Sequence, residues 1–87
     1  MNFEIYWTPK AKEHLNYWQK KDLKKVIKIK SLCQTIAVTP KEGLGKPERL
    51  KFQERNIWSR RIDQTNRLVY EIKDNNRVFI LQCRYHY

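Results

Sequence analysis

Cysteine, glycine and acidic residues are scarce in this 87-residue sequence, which has two cysteines, two glycines and nine Asp plus Glu side chains. Cys33 and Cys83 have no Cys-x-x-Cys or Cys/His spacing, which excludes a zinc-finger pattern and a disulfide framework and predicts two buried, reduced thiols. No apolar run approaches the length of a membrane-spanning helix, and the N-terminus lacks the order of a signal peptide. We therefore expect a soluble, cytoplasmic protein with no metal, no cofactor and no membrane partner.

Basic residues are the abundant class, because 19 Lys plus Arg against nine acidic residues leave a formal net charge of +10. Such a charge density usually indicates a polyanionic partner, either nucleic acid or an acidic protein, and sometimes an anionic membrane. A chain of this length is large enough for one domain, over residues 1–87, and too short for a second.

Five lysines cover much of the polar surface of one predicted helix, namely Lys21, Lys24, Lys25, Lys28 and Lys30. The ordinary interpretation is a solvated helix face. The alternative is a flank that contacts the phosphates of RNA or of a large ribonucleoprotein, where each neutralised phosphate releases counterions. The two interpretations are compatible.

The first half of the chain predicts one strand and a hairpin of two helices. Residues 2–7 alternate apolar and polar side chains, as in a half-buried strand. Thr8 and Pro9 form a helix start, with an N-cap followed by proline at the first helical position. Asp22 is the predicted cap of the second helix, and the Thr39-Pro40 pair ends it, since the residue before a proline is pushed out of the α region.

The second half predicts four strands, at residues 48–52, 57–63, 67–72 and 78–87. Asp74, Asn75 and Asn76 form a strong hairpin signal before the last strand. Gly43 and Gly45 lie in the loop before the strand predicted for residues 48–52. In this loop the backbone can take unusual dihedrals or approach a ligand closely. The element order is β-α-α-β-β-β-β, an α+β fold in which an N-terminal helical hairpin packs on one face of a mostly antiparallel sheet of four to five strands. The first strand can join this sheet as an edge.

Three chemically useful side chains occupy strand ends: Glu48 begins one predicted strand, Arg67 begins another and His86 ends the last. In an antiparallel meander the start of one strand and the end of the next lie at the same edge, so the three could converge. Such a set suits cleavage of RNA through its own 2′-hydroxyl, which needs a base, an acid and a cation near the phosphorus oxygens. No Asp/Glu cluster indicates a two-metal site, so a metal-independent route is favoured, and DNA, which lacks the nucleophile, would be inert.

Neighbouring basic residues add candidates for contact with phosphate. Adjacent strand residues face opposite ways, so at least one of Arg60 and Arg61 lies off the apolar face. Continued as a strand to its end, the segment 78–87 would project two sets of side chains to opposite faces, Gln82, Arg84 and His86 to one and Cys83, Tyr85 and Tyr87 to the other.

Each of these residues also has an ordinary interpretation. An isolated Glu is usually a surface residue, an Arg at a strand start is usually solvated or ion-paired, and a penultimate His usually belongs to a frayed end. Trp7, Trp18 and Trp58 are expected in the core rather than as base-stacking platforms. His14, on the first helix, is expected at the surface or boundary without a role. Spacing alone therefore favours ordinary roles over catalysis.

A combination of short motifs changes this balance. The motifs are Tyr17-Trp18-Gln19, Gly45-Lys46-Pro47-Glu48, Leu50-Lys51, Trp58-Ser59-Arg60-Arg61-Ile62, Arg67-Leu68-Val69-Tyr70 and Cys83-Arg84-Tyr85-His86-Tyr87. Over nearly the whole chain the sequence resembles the YoeB/Txe toxins of the RelE/ParE superfamily. The resemblance implies a RelE-like fold and a toxin of a type II toxin-antitoxin system, an endoribonuclease that cuts mRNA in the A site of the 70S ribosome and halts translation.

The resemblance also implies partners and residue roles. A cognate YefM/Axe-like antitoxin with an acidic tail would neutralise the toxin, the complex would bind operator DNA, and the toxin could form a homodimer. By motif position the roles are the general base Glu48, the transition-state arginine Arg67, the general acid His86, the terminal tyrosine Tyr87, and the phosphate contacts Lys51, Arg61 and Arg84. Arg49, residues 54–56 and Asn66 depart from the family's pattern, which affects loop geometry and ribosome contacts rather than the reaction.

Two alternatives to RNA cleavage are open at this point. A gyrase-inhibiting ParE-like toxin of the same fold lacks the Glu/Arg/His set, and a non-catalytic basic module that binds RNA or the ribosome would not need it. One further expectation concerns the end of the chain, where the α-carboxylate of Tyr87 is close to His86 and favours its imidazolium form. Extension of the chain past Tyr87 is therefore expected to lower cleavage.

Overall fold

The architecture is a helical hairpin packed on one face of a five-stranded sheet. A computed structural model of the protein describes residues 2–51 and 54–86. Its elements are β1 (Glu4–Trp7), α1 (Pro9–Lys21), α2 (Leu23–Val38), β2 (Glu48–Arg49), β3 (Ile57–Arg61), β4 (Arg67–Lys73) and β5 (Arg77–Gln82). The strand order is β1-β5-β4-β3-β2, with β1 parallel to β5 and every other neighbouring pair antiparallel. The predicted α+β fold is confirmed, including β1 as an edge strand.

Both helix starts follow the predicted local chemistry. The Thr8 hydroxyl accepts a hydrogen bond from the Ala11 N–H at 3.2 Å, and Pro9 opens α1. The Asp22 carboxylate accepts from the Lys24 N–H at 3.1 Å and caps α2, which ends at Val38 before Thr39-Pro40. Side-chain caps of this kind satisfy backbone donors that have no partner inside the helix.

One face of the sheet forms the core with the two helices. Leu68, Tyr70, Val78 and Ile80 are fully buried against α1 and α2, whose own buried residues include Ala11, Ile29, Leu32 and Ile36. Burial of each Leu, Ile or Val side chain contributes roughly 1.5–3 kcal/mol. Because strand side chains alternate, the intervening residues of β4 project to the other side of the sheet.

We call this other side the distal face and define it by Glu48, Ser59, Arg61, Arg67 and Val69. Glu48 is opposite Ser59 across β2 and β3, and Ser59 is opposite Val69 across β3 and β4. Arg61 is opposite Arg67 one step further along the same strands. Residues opposite one another in an antiparallel pair share a face, so all five project away from the helices.

A buried arginine attaches the loop between α2 and β2 to the sheet. Arg60 is 0% exposed, and its guanidinium donates to the backbone oxygens of Thr39 (2.7 Å), Glu42 (2.8 Å) and Leu44 (2.8 Å) as well as to the Tyr70 hydroxyl (3.0 Å). This arginine therefore fixes the path of the chain into β2. Of the two neighbouring arginines, only Arg61 is exposed.

Gly45 in the same loop takes the unusual backbone dihedral that the sequence predicts, with φ +88°. A Cβ at this position would lie 2.7 Å from Leu32 Cδ2, so the close approach here is to the core rather than to a ligand. The Gly45 carbonyl accepts from the Arg61 N–H at 2.7 Å, which joins the loop to the end of β3.

The last predicted strand is shorter than expected, since β5 ends at Gln82 rather than continuing to residue 87. The register of β4 and β5 shifts between Val69 and Tyr70. The next residue after β5, Cys83, forms its backbone hydrogen bonds with α1: its N–H donates to His14 Nδ1 (3.1 Å) and its carbonyl accepts from Trp18 Nε1 (2.8 Å). A residue held in this way cannot continue the ladder. The predicted alternation of faces beyond Gln82 is therefore wrong.

Two other predicted strands are also longer than the observed ones. The strand predicted for 48–52 is ordered as β2 only at Glu48–Arg49, with Lys51 in a turn and residue 52 outside the described residues. The strand predicted for 57–63 ends at Arg61, because Asp63 accepts hydrogen bonds from the next turn. The Asp74–Asn76 hairpin is confirmed: Asn75 and Asn76 have φ 62° and 55°, the values that a tight hairpin turn requires.

The two cysteines remain thiols. Cys83 is buried as predicted, whereas Cys33 is only half-buried. Burial raises the pKa of both thiols to about 12, with the neighbouring Cys33 adding to the effect at Cys83. Neither is a reactive thiolate at neutral pH.

Candidate active site

Four strand ends meet at one end of the sheet, which we call the rim: the start of β2, the end of β3, the start of β4 and the end of β5. Glu48 and Arg67 lie at the starts of β2 and β4. The Arg67 N–H donates to the Tyr85 carbonyl at 3.0 Å, so His86, the next residue, lies beside the start of β4. The predicted meander therefore brings the glutamate, the arginine and the histidine to the same rim.

The separation of Glu48 and Arg67 leaves space for a substrate. Their strands flank β3, and neighbouring strands are about 4.8 Å apart, so the two backbones are about 10 Å apart across the sheet. Arg61, at the end of β3, is located between them on the same distal face. Glu48 and Arg61 are exposed and Arg67 is half-buried, so a phosphate group in solution can reach all three side chains.

Arg67 is oriented by the turn that precedes it. Its Nη1 donates to the carbonyls of Asp63 (2.8 Å) and Asn66 (3.1 Å). An arginine has five N–H donors in a rigid planar fork. Two carbonyl acceptors on one nitrogen fix the plane of that fork, so the guanidinium is positioned before any substrate binds.

The turn itself is organised by the Asp63 carboxylate. It accepts from the N–H groups of Thr65 (2.8 Å) and Asn66 (2.6 Å) and forms an ion pair with Lys25 of α2 (2.8 Å). Partial burial acts to raise the pKa of Asp63, but the hydrogen bonds from Lys25, Asn66 and Thr65 outweigh it and hold the pKa well below its usual range. The turn under Arg67 is therefore built on a carboxylate that stays ionised at neutral pH.

Arg61 and Arg67 form a cross-strand pair of like charge. Directly opposite residues in an antiparallel pair have Cβ atoms about 5 Å apart, and like charges there are destabilising. Such a pair is more favourable when an anion lies between the two guanidinium groups. The rim therefore has the electrostatics of an anion site.

The C-terminal tail, residues 83–86, is attached to the rim by Asn66. Its Oδ1 accepts from the Tyr85 N–H at 2.8 Å, while its Nδ2 donates to both carboxylate oxygens of Asp63. Asn66, interpreted from the sequence as a departure from the pattern of the resembled family, joins the turn to the tail. No local sequence pattern predicts this role, because Asn66 and Tyr85 are 19 residues apart along the chain.

The remaining predicted site residues lie at the surface or outside the described part of the chain. Lys51 is exposed in the turn after β2, His86 is exposed at the rim, and Tyr87 lies outside the described residues. The strand alternation predicted for Arg84 does not apply, because β5 ends at Gln82. The Arg84 guanidinium instead lies over the ring of Tyr17 in α1, 3.4 Å from the ring centroid, and over Tyr85 at 4.4 Å. It is therefore on the α1 side of the tail.

A basic cavity of about 360 Å³ adjoins the rim. Arg61 lines it together with Lys28 of α2 and Lys46 of the preceding loop, beside Asp63. Of the five clustered lysines, Lys25 is thus paired with Asp63 and Lys28 faces this cavity. The predicted phosphate-contacting flank and the solvated helix face are both compatible with this arrangement.

His14 is the clearest error of the sequence interpretation. It is 7% exposed rather than at the surface, and its Nδ1 accepts from the Cys83 N–H. The spacing contained a usable signal: Ala11, His14 and Trp18 follow one another at i, i+3 and i+7, so a helix that buries Ala11 and Trp18 also buries position 14. Trp7 and Trp58 pack against the core and Trp18 is within it, as expected.

Within residues 2–51 and 54–86, no cluster of three or more His, Cys, Asp or Glu side chains could hold a metal ion. Across the same residues, every helix is too short or too polar to cross a membrane.

The hairpin of helices, the five-stranded sheet and the rim define a class, the RelE/YoeB-like α+β toxin fold. The model of the YoeB-like toxins of bacterial type II toxin-antitoxin systems matches residues 7–87. Toxin YoeB of Escherichia coli strain K12 is 42% identical over 84 residues, which are 97% of this chain and 99% of that protein. The chain therefore belongs to the YoeB-like toxin family.

Solved structures agree with this assignment. The YoeB/ParE toxin from Agrobacterium tumefaciens is 38% identical and matches with a TM-score of 0.91, over 98% of this chain and 100% of that one. YoeB from Staphylococcus aureus, solved as a dimer, is 41% identical with a TM-score of 0.88 over 100% of both chains. A chain of the YoeB-YefM complex from Staphylococcus aureus is 40% identical, with a TM-score of 0.84 and again full coverage of both chains.

Proposed function

We propose that this toxin is a ribosome-dependent mRNA endoribonuclease that cleaves mRNA in the A site of the 70S ribosome and thereby inhibits translation. The observation that carries the proposal is the register of β2, β3 and β4, which aligns Glu48, Arg61 and Arg67 on the distal face while the tail brings His86 to the same rim. A base, an acid and two cations on one surface meet the requirements for attack by a ribose 2′-hydroxyl.

In the proposed reaction Glu48 accepts the proton of the 2′-hydroxyl, and the 2′-oxygen attacks the adjacent phosphorus. The bond from phosphorus to the 5′-oxygen breaks, and the His86 imidazolium gives its proton to that oxygen. The products are a 2′,3′-cyclic phosphate and a 5′-hydroxyl. Arg67 stabilises the charge on the non-bridging oxygens in the transition state. Because the positive charge comes from arginine, the route is metal-independent.

The other basic residues are assigned to substrate binding. Arg61, opposite Arg67 on the distal face, is proposed to contact the phosphate. Lys51 is proposed to contact phosphate from the turn after β2, and Arg84 from the α1 side of the tail, where its guanidinium already stacks on Tyr17. Tyr87 is proposed to complete the active site next to His86.

The proposed partners follow from the relatives and from charge. S. aureus YoeB is solved both as a dimer and with YefM. A YefM/Axe-like antitoxin with an acidic segment suits a chain of net charge +10, and we propose that it neutralises the toxin and carries it to operator DNA. A homodimer and a location in the bacterial cytoplasm, where ribosomes are, complete the proposal.

The direct test is cleavage of mRNA on programmed 70S ribosomes, with 5′ ends mapped. Glu48→Gln, Arg67→Gln and His86→Gln should each lower the single-turnover rate by roughly 10²–10⁴, the usual worth of a positioned acid, base or oxyanion donor. Arg49→Gln is the matched control, because Arg49 is exposed on β2 beside Glu48 but projects to the other face.

Growth arrest distinguishes the alternatives. If Arg67 and His86 variants arrest bacterial growth as strongly as the wild type while ribosomes stay bound and mRNA intact, the toxin acts by occupancy as a non-catalytic module. Inhibition of DNA supercoiling by purified gyrase, with ribosomal mRNA uncut, would instead assign it to the gyrase-inhibiting class.

A further inference from the structure

The backbone of Cys83 is held entirely by side chains of α1. His14 Nδ1 accepts from its N–H at 3.1 Å, and Trp18 Nε1 donates to its carbonyl at 2.8 Å. Both hydrogen bonds are buried, and the Cys83 thiol also contacts the Ala11 carbonyl at 3.7 Å. Helix α1 therefore supplies the backbone hydrogen-bond partners of Cys83 that a neighbouring strand would supply inside the sheet.

The tail is attached at a second point two residues later. The Tyr85 N–H donates to Asn66 Oδ1, and the Tyr85 carbonyl accepts from the Arg67 N–H. Between the two points Arg84 stacks on Tyr17. The position of His86 is thus set by α1 on one side and by the turn under Arg67 on the other, because β5 has ended at Gln82.

The hydrogen bond to Cys83 requires neutral His14. An imidazole nitrogen can accept only through its lone pair, so Nδ1 must be unprotonated and the ring must carry its proton on Nε2. An imidazolium has a donor at both nitrogens. Protonated His14 would therefore direct an N–H against the Cys83 N–H and break the attachment.

We propose that His14 is a positioning residue for His86: its neutral imidazole fixes the tail at Cys83, and its protonation releases the tail and lowers cleavage. The role in cleavage rests on the proposed function, whereas the attachment of the tail does not. No local sequence motif predicts the hydrogen bond between His14 and Cys83, because the two residues are 69 positions apart.

The surroundings of His14 favour the neutral form. Lys10 and Glu13 flank it on α1, and from the tail Arg84 lies nearby while the Tyr85 ring meets the imidazole edge-on at 5.8 Å. Burial lowers the pKa of His14, the charges of Lys10 and Arg84 lower it further, and Glu13 partly opposes them. Since the pKa in the folded protein is below its ordinary value, the attachment is complete at neutral pH and is lost as pH falls through the lowered pKa.

The attachment can be measured without RNA by ¹H-¹⁵N spectra of the full chain between pH 7.5 and 5. In the wild type the Cys83 amide resonance should move with the titration of the His14 ring, and the Tyr85 and His86 amides should follow. His14→Asn keeps an acceptor at nearly the same position and cannot titrate, so its Cys83 amide should show no such step. A Cys83 amide that stays constant while His14 titrates overturns the proposal.

The second measurement is the pH profile of single-turnover cleavage on programmed ribosomes. The ratio of wild-type to His14→Asn rates cancels the pH dependence that both proteins share. This ratio should be near one at pH 7.5 and fall about tenfold at acid pH, since misplacement of a reacting group by about 1 Å costs up to ~100-fold. His14→Ala should be slow at every pH.

Charge variants on the exposed face of α1 test whether the pH profile of cleavage reports the titration of His14. Lys10→Gln removes a charge that lowers the pKa of His14, so the acid limb should move to higher pH, whereas Lys12→Gln, also exposed on α1, should not move it. Parallel wild-type and His14→Asn profiles would show that the attachment has no effect on the reaction and overturn the positioning role. If no variant or wild type cleaves RNA, the proposed function fails, and the amide titration alone decides whether the attachment exists.

Discussion

Replacement of Arg61 by Gln should weaken cleavage and at the same time leave the fold unchanged or slightly more stable. Arg61 and Arg67 are directly opposite one another on β3 and β4, and Arg61 is exposed. Opposite effects on activity and stability are expected at this pair, because the two charges repel one another until an anion binds.

The size of the effect follows from the geometry. Taken at the roughly 5 Å that separates the Cβ atoms of directly opposite residues, the repulsion is ~3 kcal/mol for an effective dielectric constant of 20 and ~0.8 kcal/mol in water. Arg61 is exposed, so the lower figure applies, in agreement with the ~0.2–1 kcal/mol measured for cross-strand pairs. Arg61→Gln should therefore raise the free energy of unfolding by up to about 1 kcal/mol.

Urea unfolding followed by tryptophan fluorescence measures this difference. At low ionic strength Arg61→Gln should be at least as stable as the wild type, and the difference should vanish near 1 M salt, where the Debye length is about 3 Å. Arg67→Gln should instead lose about 1–3 kcal/mol of stability, because the Asp63 and Asn66 carbonyls lose their donor.

Cleavage by Arg61→Gln should fall about 10- to 100-fold, corresponding to a charge-assisted hydrogen bond of ~1.5–3 kcal/mol. Arg49→Gln, which removes an equal charge opposite Trp58 on the helical face, should retain activity and show no such gain in stability. A loss of stability in Arg61→Gln at low salt, or cleavage at the wild-type rate, would refute the interpretation of the pair as an anion site.

Three further predictions concern the support of the site. Arg60→Met should lower the free energy of unfolding by about 3 kcal/mol or more, measured in urea, because three loop carbonyls lose their hydrogen-bond donor at about 1–3 kcal/mol each. Gly45→Ala should cost about 1–3 kcal/mol by the same assay, since φ is +88° and the added Cβ would meet Leu32 at 2.7 Å. The pKa of Asp63 is lowered in the fold, so its contribution to the free energy of unfolding should be complete above about pH 4 and decline as pH falls below that value. Asp63→Asn should be less stable than the wild type at pH 7 and lack this decline. An equal loss of stability at acid pH in both proteins would contradict the assignment.

Much of the fold is visible in the sequence because its signals are local. A helix start depends on a side chain within three residues, as at Thr8 and Asp22, and the hairpin at Asn75 and Asn76 depends on two residues that tolerate positive φ. The meander order followed from these turns, and with it the meeting of Glu48, Arg67 and the tail at one rim. These inferences need no knowledge of distant contacts.

The sequence by itself determined the element order, the helix boundaries and the end of the sheet at which Glu48, Arg67 and the tail meet. Only the tertiary structure decided which arginine is buried, Arg60 rather than Arg61, where β5 ends, and that His14 belongs to the interior. The physical reason is that a polar side chain is placed by the partners available to it, and here those partners are up to 69 positions away along the chain. Local propensity acts over a turn of helix or a pair of strand residues, whereas burial of a polar group is decided by whether the whole fold supplies its hydrogen bonds.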